Sequence, residues 1–203
     1  MKRRSSKKQS WADHYARKAQ KDNYPARSVY KLQEIQKKTG VLHKGDRVLD
    51  LGCAPGSWTL YAAETVGPGG KVVGIDLKPV EVSLPAQAQT LTGDLLEPDA
   101  DAREAMSGPF DVVLSDMAPA TTGNKNVDAV RSFVLAESAL ELAKIVLGPG
   151  GSLVCKIFQG PDFEEFLKRI KTDFDRHKIF KPQSSRKASP EIFIIGMGLK
   201  REE

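Results

Sequence analysis

A doubly wound α/β fold, its sheet mostly parallel with an antiparallel edge strand, is predicted for this 203-residue chain. Three observations carry the prediction. Strand-like and helix-like stretches alternate through residue 174, the order that gives parallel pairing with helices on both faces. Acids close four strand-like runs in succession, at Asp50, Asp76, Asp94 and Asp116. Between the first run and its helix lies Asp50-Leu51-Gly52-Cys53-Ala54-Pro55-Gly56-Ser57-Trp58, a loop with glycines where the backbone turns tightly.

In chain order, residues 1–22 come first as a basic arm, expected to be flexible. Over residues 1–21, Lys2, Arg3, Arg4, Lys7, Lys8, Arg17, Lys18 and Lys21 are opposed only by Asp13. Such an arm is either an electrostatic handle for RNA, with Trp11 and Tyr15 able to stack on bases, or a solvated tail. Residues 23–203 are expected to form a single domain. Its first helix spans 27–38, with Val29, Leu32 and Ile35 inward and a stop near Gly40. A strand at 46–51 leads through the glycine loop into a helix marked by Trp58, Ala62 and Val66, which Gly67-Pro68-Gly69-Gly70 breaks. Strands follow at 71–77 and 87–93, then a short acidic helical stretch, then a nearly all-apolar strand at 110–115.

A long helix over 128–147 turns Leu135, Ala139, Leu142 and Val146 inward and ends at Gly148-Pro149-Gly150-Gly151. The fifth strand is 152–158. Phe163, Phe166, Leu167, Ile170 and Phe174 mark another amphipathic helix, and strands at 178–182 and 191–199 can pair as a hairpin to form the antiparallel edge.

Composition excludes several classes. With 40% hydrophobic residues the chain can bury an ample core without staples. Cys53 and Cys155 form no C-x-x-C pair, which suits a reducing compartment. His14, His43 and His177 lack ligand spacing, so no metal is expected. No apolar run is long enough to span a bilayer, and no apolar stretch follows the basic amino terminus as in a signal peptide. A cytoplasmic location is the expectation, with no membrane contact and no protein partner evident.

The junction of first strand and helix is where such sheets bind nucleotide-like cofactors against helix N–H groups. The second glycine comes four residues after the first, unlike G-x-G-x-x-G, and no G-x-x-x-x-G-K-[ST] occurs. A dinucleotide or a Walker-type phosphate site is therefore disfavoured. S-adenosylmethionine fits better, because its carboxylate can use the helix N-terminus and its bulk needs glycine at Gly52 and Gly56, beside Pro55 and Trp58. The alternative is a plain βα turn. Asp76 stands where these folds accept hydrogen bonds from ribose hydroxyls, and Asp94 can accept from the adenine amino group, though each also suits a turn. Asp116 ends a buried strand and needs a partner or a purpose. Lys156 lies in the apolar run Ser-Leu-Val-Cys-Lys-Ile-Phe, and parallel pairing of the fourth and fifth strands brings it near Asp116.

Over residues 10–200 the chain resembles the FtsJ/RrmJ family of ribosomal RNA 2′-O-methyltransferases. The likeness rests on Arg27-Ser28-Val29-Tyr30-Lys31-Leu32, the Asp50–Trp58 loop, Ser115-Asp116-Met117-Ala118-Pro119, Val154-Cys155-Lys156-Ile157-Phe158 and Ser189-Pro190-Glu191-Ile192-Phe193. The resemblance implies a Rossmann-like methyltransferase fold, S-adenosylmethionine as cofactor, and transfer to a uridine ribose of large-subunit 23S ribosomal RNA. It also implies a Lys-Asp-Lys-Glu tetrad, matched here by Lys31, Asp116, Lys156 and Glu191. Ser57, Phe193 and Pro25 depart from the usual glycine, tyrosine and arginine. Similar enzymes methylate tRNA or caps, and a non-catalytic assembly factor with the same fold is the alternative from another class.

A ribose hydroxyl needs a base, whereas a sulfonium methyl is already activated, so the chemistry requires no metal. Lys156 is the candidate base. Burial and nearby Lys31 favour its neutral amine, while Asp116 favours the ammonium and orients it. Lys31 and Glu191 would position the hydroxyl.

Overall fold

The computed structural model describes residues 6–95 and 97–201, with side chains in the first helix described from His14 onward. Its elements are α1 (Ser6–Lys21), α2 (Val29–Thr39), β1 (Arg47–Leu51), α3 (Ser57–Val66), β2 (Lys71–Asp76), β3 (Ala88–Thr92), α4 (Ala100–Ala105), β4 (Phe110–Ser115), α5 (Lys125–Val146), β5 (Leu147–Phe158), α6 (Phe163–Asp173), β6 (Phe174–Phe180) and β7 (Glu191–Leu199). Among the described residues, no helix is long and apolar enough to cross a membrane.

Alternate strand residues point to opposite faces, and the interior divides accordingly. Val48, Val72, Val112, Leu114, Val154 and Phe193 pack with Leu32 and Ile35 of α2 and Trp58 and Ala62 of α3. Leu49, Val73, Val113, Leu153 and Cys155 pack instead with α5 and α6 through Ala136, Leu140, Phe166 and Ile170. The result is a sheet between two helical layers.

The strand order is β3-β2-β1-β4-β5-β7-β6. All pairs through β4·β5 are parallel, while β7 is antiparallel to both β5 and β6. The hairpin-like pairing of the last two strands is present, but β7 inserts between β5 and β6, so the outermost strand is β6. That strand also starts earlier than predicted, at Phe174 directly off α6. Strand order reverses between β1 and β4, and this switch point opens a crevice at the strands' carboxyl ends.

Helix α5 buries Ala139 and Val146 of its predicted face but not the two leucines. Ala129, Ala136, Ala139 and Ala143 are buried, together with Leu140 and Val146, while Leu135 and Leu142 are half-buried and line a cavity. Small side chains let the helix approach the sheet closely, and the leucines flanking that stripe are left facing the crevice.

The segment expected as a flexible arm is helical over Ser6–Lys21; residues 1–5 lie outside the described residues. Its end is fastened. Ala19 is buried with Val29 and Tyr30, the Tyr15 and Tyr30 rings lie 5.4 Å apart, and Lys18 sits 4.0 Å over the Tyr30 ring while pairing with Asp22 at 2.8 Å. Tyr15 is thus packed against Tyr30, and the side chain of Trp11 lies outside the described residues. The segment's composition is so polar that a narrow docking stripe of one alanine and one tyrosine escapes notice in the sequence.

Candidate active site

Loop geometry comes from two glycines. Gly52 has φ +74°, and a Cβ there would fall 2.7 Å from Met117 Cγ, so conformation and space both demand glycine. Gly52 and Cys53 each donate a main-chain N–H to the Ile75 carbonyl, at 2.8 and 3.2 Å, which ties the loop to β2. Gly56, φ +104°, caps α3, and its Cβ would meet Val80 and Val82 at 2.8 and 2.9 Å. Asp76, at the end of β2, clasps the loop from below: Oδ2 accepts from Ala54 N at 2.9 Å and Oδ1 from Lys78 N at 2.8 Å.

Beside this loop lies a cavity of about 450 Å³, within the range of small-molecule sites. Of the residues expected to bind cofactor, Gly52, Asp76, Asp94 and Asp116 line it, with Met117 and Leu135 among its apolar walls. Pro55, Gly56 and Trp58 do not line it. The Trp58 indole is 3% exposed, donates from Nε1 to the Ser28 carbonyl at 2.9 Å, and lies 5.8 Å from the Phe193 ring. Ser57 Oγ accepts from Ala26 N at 2.8 Å and donates to Ala26 O at 3.1 Å. These side chains therefore fasten the segment leading into α2, and with it Lys31, onto α3. An aromatic residue at helical spacing with buried neighbours was the available signal for that role.

All four tetrad residues converge. Parallel register places Ser115 beside Cys155, so Asp116 and Lys156 follow as neighbours. Antiparallel register pairs Lys156 with Phe193 and Phe158 with Glu191, which puts Lys156 and Glu191 on one face, and Lys31 descends on them from α2. Lys156 Nζ lies 2.9 Å from Asp116 Oδ1 and also donates to the Asp116 main-chain carbonyl. Lys31 Nζ bridges the two acids, 3.3 Å from Asp116 Oδ1 and 3.0 Å from Glu191 Oε2. The Lys156 side chain is 5% exposed and that of Asp116 17%. Burial works against the Lys31 ammonium, but Asp116 and Glu191 hold its pKa above the ordinary lysine value. Burial likewise opposes ionisation of Asp116, and Lys156 with Lys31 nonetheless holds its carboxyl below the usual range.

Two acids of consequence were not singled out from the sequence as site residues. Asp50, 1% exposed on β1, accepts from Thr59 Oγ1 at 2.7 Å in the first turn of α3. Burial pushes its pKa up to about 7, and the neighbouring charges of Asp116 and Asp76 push the same way. Its place at the head of the glycine loop was visible; the depth of its burial was not. Glu34 accepts from the main-chain N–H groups of Gln183 and Ser184 at 2.6 and 2.9 Å, across 149 and 150 residues of chain. No local pattern signals a pairing of that span.

Residues 24–199 match the family model described as FtsJ-like methyltransferase. The chain is 58% identical over 198 residues to a protein of Desulforapulum autotrophicum named ribosomal RNA large subunit methyltransferase E, with 98% of each chain covered. A protein of the same name from Desulfosudis oleivorans is 59% identical over 200 residues, covering 98% of this chain and 97% of that one. Among solved structures, one from Plasmodium falciparum assigned as a ribosomal RNA methyltransferase superposes with a TM-score of 0.74 at 25% identity, over 87% of this chain and 98% of that one. A SAM-dependent O-methyltransferase from Thermotoga maritima, at 16% identity and a TM-score of 0.57 over 84% of this chain and 65% of that one, shares the fold. The chain is a methyltransferase and belongs to the FtsJ-like family.

Proposed function

We propose that the chain transfers a methyl group from S-adenosylmethionine to the 2′-hydroxyl of a uridine ribose in 23S ribosomal RNA of the large subunit, in the cytoplasm. One observation carries the reading: Asp116 both lines the cavity and accepts from Lys31 and Lys156. A cofactor site and a proton-handling cluster thus share a residue.

The cavity's donors and walls fit the cofactor. Each Asp76 oxygen takes one main-chain N–H and keeps a further lone pair, which suits the two ribose hydroxyls. Asp94 faces the cavity where it can accept from the adenine amino group, and Leu77, Leu95 and Met117 supply apolar surface. When bound, S-adenosylmethionine supplies a methyl already activated on a sulfonium. The chain's own residues do the rest. Lys156, as the free amine, takes the hydroxyl proton at Nζ; Asp116 fixes the direction of that nitrogen; and Lys31 with Glu191 positions the hydroxyl. The deciding experiment is transfer of labelled methyl from S-adenosylmethionine to large subunits from a strain lacking the enzyme. Subunits that stay unlabelled would refute the reading.

Asp76→Ala should weaken S-adenosylmethionine binding by about 1.5–3 kcal/mol through loss of charge-assisted hydrogen bonds. Calorimetry on the folded variant checks this, and unchanged affinity would rule out the assignment.

The basic amino-terminal residues are proposed to bind RNA phosphates. Deleting residues 2–8 should flatten the slope of log K against log salt by about 0.7 per phosphate lost for single strands and about 0.9 for a duplex. Turnover at saturating RNA should hold, because the tetrad lies elsewhere and the arm contributes attraction rather than transition-state contacts. Superimposable salt series for the full and truncated chains would reduce the arm to a solvated segment.

A further inference from the structure

Between β6 and β7 the chain makes a loop, residues 181–190, that returns to the tetrad and delivers Glu191. Ser184 and Ser185 in it are 2% and 3% exposed, so their main-chain N–H groups cannot turn to water. Ser185 N donates to the Pro182 carbonyl at 3.1 Å within the loop. The two amides before it are served from outside: Glu34 Oε2 accepts from Gln183 N at 2.6 Å and Oε1 from Ser184 N at 2.9 Å. Arg27 Nη1 donates to the Ser184 carbonyl at 3.3 Å, so the same peptide segment is also held by a residue just before α2. At the loop's base, Lys181 Nζ donates to Ser189 O at 2.7 Å, Glu191 N to Ser189 Oγ at 3.3 Å and Gln159 N to Pro190 O at 2.9 Å.

Glu34 and Lys31 are three residues apart on α2 and so share a face. One helix face therefore makes two attachments: Lys31 to the carboxylate of Glu191, at 3.0 Å, and Glu34 to the loop that leads into Glu191. From this geometry we infer that Glu34 is a positioning residue of the methyl-transfer site, whose bidentate grip on the Gln183 and Ser184 amides sets the placement of Glu191 against Lys31. The inference rests on the proposed roles of that pair. Glu34 makes its hydrogen bonds to main-chain amides, so its effect on the reaction passes through Lys31 and Glu191.

The test uses Glu34→Gln and Glu34→Ala in the full chain. Glutamine has one acceptor oxygen where two amides must be served, so it loses one bond; alanine loses both. Turnover should fall in that order, reaching roughly 100-fold for Glu34→Ala, the scale of a misplacement near 1 Å. S-adenosylmethionine affinity by calorimetry and KM for large subunits should stay at the wild-type values. The Lys31 nitrogen, followed by NMR titration without RNA, should titrate closer to an ordinary lysine in the same order, because a displaced Glu191 no longer favours its ammonium. Wild-type turnover in both variants, an effect confined to KM, or parallel loss of cofactor affinity would each overturn the inference. If Glu34→Ala does not fold, Glu34→Gln decides by the same readouts. If the wild-type protein labels no subunits, the proposed function fails, and the order of Lys31 titrations still decides whether Glu34 sets the pair.

Discussion

Lys156→Ala should slow methyl transfer by a factor of roughly 10²–10⁴ while S-adenosylmethionine binding survives. The two effects separate because Lys156 pairs with Asp116 while only Asp116 of the two is among the residues lining the cavity. Removing the ammonium leaves Asp116 with Lys31 at 3.3 Å, so the carboxylate keeps one cationic partner and the cavity keeps its acid. Raising the pH should not restore the rate, since no amine remains to be unmasked. Single-turnover methyl transfer with calorimetry on the same preparation makes the measurement. Near-normal turnover in the variant would show that another group, or water, takes the proton.

Asp50→Asn should change the pH dependence of stability. The folded pKa of Asp50 is raised to about 7 from an ordinary value of 3.8. Between those two values the native state holds a proton that the unfolded chain releases, so wild-type stability falls as pH rises through this window and levels off above it. Asparagine has no such proton. The stability of Asp50→Asn relative to wild type should therefore climb by on the order of 4 kcal/mol between pH 4 and pH 8. Comparing the two proteins across pH cancels the fixed cost of burying an amide. It also cancels Asp116, whose depressed pKa has the opposite sign in both: its stabilisation is present above the ordinary carboxylate value and is lost as pH falls through the folded one. Urea unfolding at pH 4, 6 and 8 decides the matter. Parallel curves would mean that folded Asp50 is ionised throughout.

The alternation of elements was legible because each strand and helix carries its own period. The convergence of Asp116 and Lys156 was legible because both stand at adjacent positions on neighbouring parallel strands. What failed to show depends on partners distant in sequence. The α5 pattern pointed to Leu135 and Leu142 beside Ala139 and Val146, but close approach to a sheet favours alanines, and the leucines went to the cavity. Trp58 sits in the most informative loop of the chain, yet its indole packs away from the cavity, under α2. Glu34 drew no reading from the sequence, because its partners lie about 150 residues away. The insertion of β7 between β5 and β6 has no local signature either: the same strands in the same order can make a simple hairpin edge.

That insertion bears on how the molecule comes into being. A ribosome releases β5 and β6 before β7, so for a time both have open edges that only a strand not yet made can close. Glu191 arrives with that strand, as its first residue. A nascent chain that has already formed the glycine loop and brought Asp116 to Lys156 still lacks one of the two acids that hold Lys31. The proposed tetrad is therefore completed only by the last of the sheet's seven strands, and a chain cut short before residue 191 lacks its fourth member.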